Sequence, residues 1–196
     1  KQMIAEGVAM DQNASAVPNV IDAVRDALSG IKVPTTWLHS EVTSKEMEKG
    51  IMVEPDAIAF LNRVRGLNLV KNTERKSNAW ITGEADLFDS VVRRGHDLKC
   101  PWSVATFPIT VVDCEDKLYE WQMRGYMWLW DAEEWEVNYA LISTPEELIR
   151  YEPQTMHFVD HIPEHLSLTS WTIKRDTEKE AAIAEGDTKA AAETED

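Results

Sequence analysis

Between Ala79 and Val104 the hydrophobic spacing shifts from helical to alternating, and this shift restricts the fold more than any other feature of the chain. Ala79–Phe88 and His96–Val104 read as two short strands, paired as a hairpin across Asp89–Gly95. Asn68–Lys71 reads as a further strand. Upstream, Ala57, Ile58, Phe60, Leu61 and Val64 recur with helical spacing up to Gly66. That helix is expected to start at Ser44 and break near Gly50, with Pro55 in the first turn of a second piece, where a missing N–H costs little. Downstream, the pattern predicts a long helix over Glu115–Asp131, a strand over Glu136–Ser143 and a short helix over Pro145–Ile149. A strand over Ser167–Lys174 and a last helix over Glu178–Glu185 complete the series. Helices before and after a strand group give an α/β (α+β) layered fold, with a central mixed, largely antiparallel sheet flanked by helices.

The 196 residues favour one domain with appendages. We read 1–43 as an N-terminal helical segment (Val20–Leu28 has helical spacing), 44–175 as the core, and 176–196 as a helix and acidic, disordered tail. No run approaches the roughly 18 apolar residues that a membrane span needs. The first residues show no basic-then-apolar leader, and a cytoplasmic location is the expectation. Cys100 and Cys114 are enough for one disulfide, although a reduced chain is expected. They are too few for a four-thiolate zinc site or an iron–sulfur cluster.

The net charge of −15 argues against nucleic acid as a partner if charge is taken as a total. Its distribution is uneven. Residues 176–196 hold eight acids against Lys179 and Lys189, whereas Arg63, Arg65, Lys71, Arg75 and Lys76 face only Glu74 in their stretch. That basic run is either a solvated face or a phosphate-facing strip.

Chemistry concentrates in two segments, Gly83-Glu84-Ala85-Asp86-Leu87 and His96-Asp97-Leu98-Lys99-Cys100. Strand alternation puts Asp97 and Lys99 on one face, with Leu98 and Cys100 on the other. Hairpin pairing brings Asp86 beside Asp97, and two adjacent carboxylates need a counter-charge. Mg2+ suits that need, because it binds through one or two carboxylates with water and phosphate oxygens. Lys99 could then orient or deprotonate an attacking water, as in metal-assisted phosphodiester hydrolysis. Glu54 could bring a third carboxylate, and Gln122 and Tyr126, four residues apart, share one helix face.

These pieces together resemble the PD-(D/E)xK nuclease superfamily, and within it the lambda-exonuclease-like, YqaJ-type viral recombination nucleases. The resemblance runs from Met47-Glu48-Lys49-Gly50 and Glu54-Pro55-Asp56-Ala57-Ile58 through Ile81–Leu87, Asp97–Ser103 and Thr106-Phe107-Pro108 to Tyr119-x-x-Gln122-x-x-Gly125-Tyr126-Met127. It continues through Leu141–Ile149 and covers roughly residues 40–185. It implies a restriction-endonuclease-like core in which Asp86, Asp97 and the Leu98 carbonyl ligate Mg2+, with Mn2+ as a substitute. Lys99 would position the nucleophilic water and Glu54 would serve in the outer shell. Gln122 and Tyr126 would support the site and contact the strand being cut.

The implied activity is Mg2+-dependent exonucleolytic hydrolysis of linear duplex DNA, 5′ to 3′, in phage-type recombination. A structure-specific or single-strand endonuclease, or a catalytically silent binding module, are the alternatives. The implied partners are linear double-stranded DNA, a single-strand annealing protein and further copies of the chain in a ring such as a trimer. Such a ring could keep acidic surface outward while Arg63, Arg65, Lys71, Arg75, Lys76, Arg93 and Arg94 line a channel. Ala85 replaces the proline of the family motif, and Asp97 is the shorter of the two acids used there. The family's early basic and serine residues that grip a 5′-phosphate have no counterpart that we find.

Trp102 and Ser103 follow the Asp-x-Lys strand directly and are expected at the DNA, with Trp102 as the best stacking candidate. Trp121, Trp128, Trp130 and Trp135 are expected mainly in the core. His157, His161 and His165 recur every four residues, but Pro163 interrupts any helix that could align them on a metal. Cys100 is expected to be buried and inert.

Overall fold

The computed structural model describes residues 44–181. Helix α1 (Lys45–Arg65) opens on Ser44, whose side chain accepts from Met47 N, and closes on Gly66 at φ 65°. It runs without a break at Gly50, and Pro55 lies in its interior rather than at the start of a second piece. Pro55 therefore removes one intrahelical bond, and packing of the buried face Lys49, Val53, Ala57, Phe60 and Leu61 holds the helix together across it.

Residues 68–71 form no strand. Their backbone is claimed instead by Asn62, whose Nδ2 donates to Leu69 O at 2.8 Å while its Oδ1 accepts from Leu69 N at 2.9 Å. The next segment divides into β1 (Arg75–Ser77), β2 (Thr82–Glu84) and β3 (Leu87–Asp89). β1 and β2 form their own antiparallel ribbon, with Lys76 opposite Gly83. The expected single strand over Ala79–Phe88 is thus cut at Ala85 and Asp86. The second expected strand is β4 (Arg94–Lys99), which stops short of Pro101, a residue with no N–H for a ladder.

After a single 3-10 turn (Val104–Thr106) come α2 (Val111–Cys114) and α3 (Lys117–Trp130), the latter N-capped by Asp116. β5 (Glu134–Ala140) and β6 (Leu168–Lys174) complete a four-stranded sheet of order β3-β4-β5-β6. The β3–β4 and β5–β6 pairs are antiparallel, and β4–β5 is parallel. Glu146–Leu148 is a single 3-10 turn. A helix opens over residues 177–181. The expected helix over Val20–Leu28, the segment 1–43, and the tail beyond 181 lie outside the described residues.

The sheet is covered on both faces. α3 lays Met123, Tyr126, Met127 and Trp130 over Trp135, Val137 and Ile173, while α1 sets Ala57 and Phe60 against Ala140 and Leu98. β4 therefore has Leu98 on the α1 side and Asp97, opposite Val137, on the α3 side. Gly95 lies flat under Trp135: a Cβ there would stand 2.3 Å from the indole. No helix among the described residues is long and apolar enough to cross a membrane.

Candidate active site

Strand pairing sets Leu87 opposite His96, which brings Asp86 alongside Asp97. Asp86 interrupts the ladder because its own Oδ2 accepts the Leu98 N–H at 2.8 Å. A strand residue offers its N–H and C=O to the same side, so the Leu98 carbonyl faces the β3 side as well. Burial, then the charge of Asp97, push the Asp86 carboxyl up to about 6, against the Leu98 N–H and Lys99, which favour ionisation.

Asp97 is 5% exposed. Lys99 Nζ lies 2.8 Å from its Oδ2, yet that buried oxygen has no well-aligned hydrogen bond. The contact is one of charge. The Lys99 ammonium also sits 4.8 Å from the Tyr119 ring centroid. Burial pulls the Lys99 pKa down, but the Asp97 carboxylate more than offsets this and holds the lysine protonated.

Glu54, on α1, is ion-paired with Lys71, and its charge still reaches Asp86. From α3, Gln122 Nε2 donates to Tyr126 Oη at 3.3 Å. Both residues are buried, and the Tyr126 pKa is raised by burial first and also by Asp97 and Asp86. Glu54, Asp86, Asp97, Lys99, Gln122 and Tyr126 are thus brought into one neighbourhood by α1, the β3–β4 junction and α3.

Two features fit a hard dication. A buried oxygen of Asp97 has no well-aligned donor, only the Lys99 ammonium at 2.8 Å, and Asp86 beside it is pushed toward protonation by burial and then by the Asp97 charge. Among the described residues, no three His, Cys, Asp or Glu side chains converge as a ready-made metal cluster. Asp86, Asp97 and the Leu98 carbonyl are instead an oxygen set of the sparse kind that Mg2+ accepts.

Other expected site residues stand elsewhere. Trp102 is 9% exposed; its Nε1 donates to Glu152 Oε2 at 2.8 Å, and its ring meets His157 edge-on. Ser103 is buried, with its N–H donating to Thr106 Oγ1 at 3.0 Å. The basic run is taken up largely in pairs. Arg63 pairs with Glu164 at 2.7 Å and Arg65 donates to Ser170 Oγ at 2.9 Å. Arg75 faces Glu84 at 3.5 Å and Lys76 faces Glu74 at 3.9 Å, while Arg93 and Arg94 pair with acids at 131–136. His157 is fully buried, between the Trp102 carbonyl, Thr144 and Glu152. Cys100 and Cys114 are free thiols, each pushed up to about 11 by burial.

Sequence reasoning missed Lys49. Its side chain is fully buried, and its Nζ donates to the carbonyls of Pro101 at 2.5 Å and Trp102 at 3.3 Å. Thr144 Oγ1 and His157 Nδ1 meet the same Trp102 carbonyl at 2.8 and 3.2 Å, so the chain just beyond Lys99 is pinned by three side chains. The signal was present in the spacing: 49, 53 and 57 form one i, i+4 stripe on the core face of α1.

No family profile and no curated protein matches this chain. Among solved structures, a phage-related exonuclease from Haemophilus somnus 129PT superposes with a TM-score of 0.72 at 32% identity, over 86% of this chain and 76% of that one. The chain belongs to the lambda-exonuclease-like, YqaJ-type branch of the PD-(D/E)xK nucleases. The fold is shared more widely. LHK-Exo in complex with dAMP superposes with a TM-score of 0.63 at 18% identity, over 91% of this chain and 88% of that one. The alkaline exonuclease LHK-Exo from Laribacter hongkongensis gives 0.62 at 16% identity, over 89% and 86%.

Proposed function

We propose that this chain is a divalent-metal-dependent deoxyribonuclease that hydrolyses linear duplex DNA from its ends, 5′ to 3′, with Mg2+ as the metal and Mn2+ as a substitute. The observation that carries the reading is the pairing of Asp86 with Asp97, both largely withdrawn from water, beside a protonated Lys99. Asp86, Asp97 and the Leu98 carbonyl would hold the ion. When bound there it supplies positive charge to the scissile phosphate and lowers the pKa of a bound water.

The chain's own groups do the rest. The Leu98 N–H fixes the Asp86 carboxylate in one orientation. Lys99, steadied between Asp97 and the Tyr119 ring, donates hydrogen bonds to the attacking water or to a phosphate oxygen that gains charge. Gln122 and Tyr126, both buried and hydrogen-bonded to each other, would support the site from the α3 side. The exonuclease names of the similar structures favour attack at an end over internal cutting. A homo-oligomeric ring with an annealing protein as partner is the assembly this reading takes from the family.

The test is digestion of the same duplex as a linear molecule and as a covalently closed circle. Mg2+-dependent loss of the linear form alone supports the exonuclease; loss of both forms favours the endonuclease, and loss of neither removes the nuclease reading.

A further inference from the structure

Lys49 carries a charge where the fold calls for an apolar side chain. It lies on the core stripe of α1 with Val53 and Ala57, and it is fully buried. Among the described residues no carboxylate offsets its charge, and burial pulls its pKa down to about 8. Its Nζ donates instead to two backbone carbonyls, Pro101 at 2.5 Å and Trp102 at 3.3 Å. A methionine of similar length would fill the same space without desolvating an ammonium. A core cation kept against its own burial penalty points to a use beyond stability.

The carbonyls it holds lie where the chain most needs holding. β4 ends at Lys99, opposite Tyr139, and Pro101 has no N–H with which to extend the ladder. Beyond Lys99, side chains take over. Thr144 Oγ1 donates to the Trp102 carbonyl at 2.8 Å, and His157 Nδ1 stands 3.2 Å from the same oxygen. His157 Nε2 lies 3.1 Å from Glu152 Oε2, which also accepts from Trp102 Nε1 at 2.8 Å. Of the side chains on this carbonyl, only Lys49 reaches Pro101 as well, and only Lys49 comes from α1, the helix that carries Glu54.

From this arrangement we propose that Lys49 is a positioning residue for the reaction: by holding the Pro101 and Trp102 carbonyls against α1 it fixes the end of β4, and so sets Lys99 beside the Asp86–Asp97 pair. The inference rests on the nuclease reading above and adds a residue to its machinery. Lys49 touches none of the reacting groups; it acts through the backbone on the strand end from which Lys99 projects. Asp97 steadies the Lys99 ammonium, but the root of that side chain is only as fixed as the end of β4. A displacement of about 1 Å at such a group lowers a rate by about 10²-fold. A role in stability alone predicts something else, a lower unfolding midpoint with normal turnover by the folded molecules.

The experiment follows the first cut on an end-labelled linear duplex with Mg2+, with the full chain in excess over DNA. The rate at saturating protein and the protein concentration at half that rate are read separately. Near-ultraviolet circular dichroism and the urea midpoint report folding of each variant. Lys49→Met should lower the saturating rate by about tenfold or more, while the half-saturating concentration stays within about twofold of wild type. Leu61→Val, a deletion on the same buried face of α1, should lower the urea midpoint and leave the saturating rate of the folded protein as in wild type. Thr144→Val keeps the shape and removes a second donor to the Trp102 carbonyl. It should lower the same rate by about threefold or more, and Thr144→Ser, which keeps the hydroxyl, should restore it. A smaller fall in Lys49→Met, a rise in half-saturating concentration in place of a fall in rate, or an equal fall in Leu61→Val would each overturn the proposal. If Lys49→Met does not fold, a wild-type rate in Thr144→Val overturns it. Absence of Mg2+-dependent release by wild type is a different result, and it removes the nuclease reading itself.

Discussion

The Leu98 N–H donates to Asp86 Oδ2 at 2.8 Å, so an acidic side chain takes the place of a backbone rung where β3 gives way to β2. One bond thereby does two things. It ends the strand pairing at the site, and it fixes a carboxylate against its neighbour Asp97.

That arrangement has a cost in the metal-free protein, and its sign follows from the raised Asp86 pKa. The folded state keeps the Asp86 proton up to about pH 6, whereas the unfolded chain releases it near the ordinary aspartate value. Between those values the folded state binds more protons, so stability falls as pH rises. Asp86→Asn keeps an acceptor for Leu98 and loses the charge. In chelator, it should exceed wild type in stability above pH 6, by at most about 2–3 kcal/mol, and the gap should close toward pH 4. Urea unfolding at several pH values measures this, and a gap independent of pH would contradict it.

Gly95 gives a prediction about packing behind the site. A methyl group there would stand 2.3 Å from the fully buried Trp135 ring, which has no free side to move toward. Gly95→Ala should destabilise the fold by about 1–3 kcal/mol or more through overpacking, read as a lower denaturation midpoint. An unchanged midpoint would show that the sheet yields there.

Lys49 gives the opposite pH dependence to Asp86. Burial against two carbonyls pulls its pKa down to about 8, so the folded state sheds this proton before the unfolded chain does. The unfolded chain then binds more protons between about pH 8 and the ordinary lysine value, and stability should rise across that window. Lys49→Met removes the effect. Relative to this variant, wild type should gain roughly 2–3 kcal/mol between pH 7.5 and 10.5, with thermal melts as the readout.

Much of the architecture was legible in the sequence because burial leaves a periodic trace. The alternation around Val137 and Tyr139 marks β5, and the helical pattern over Glu115–Asp131 marks α3. The site was legible for a related reason: hairpin pairing and strand alternation are enough to put Asp86, Asp97 and Lys99 together. What periodicity could not convey was competition for backbone groups. Asn62 takes the backbone of Leu69 and keeps 68–71 out of the sheet, and the Asp86 side chain splits an apparently continuous strand. Pro55 reads as a helix start, yet burial on the Lys49–Val53–Ala57 stripe carries α1 straight through it. Charge was read least well, since the run from Arg63 to Lys76 says nothing about which distant acid each residue meets.

The most direct test is Mg2+-dependent release of label from an end-labelled linear duplex by wild type and by Lys99→Ala, with duplex binding measured in parallel. Removing Lys99 should cut turnover by roughly 10²–10⁴-fold while binding stays close to wild type, as expected for a group that acts on the reacting atoms. Undiminished release by Lys99→Ala, or release by wild type that persists in chelator, would contradict the assignment of the chemistry to the Asp86–Asp97–Lys99 cluster.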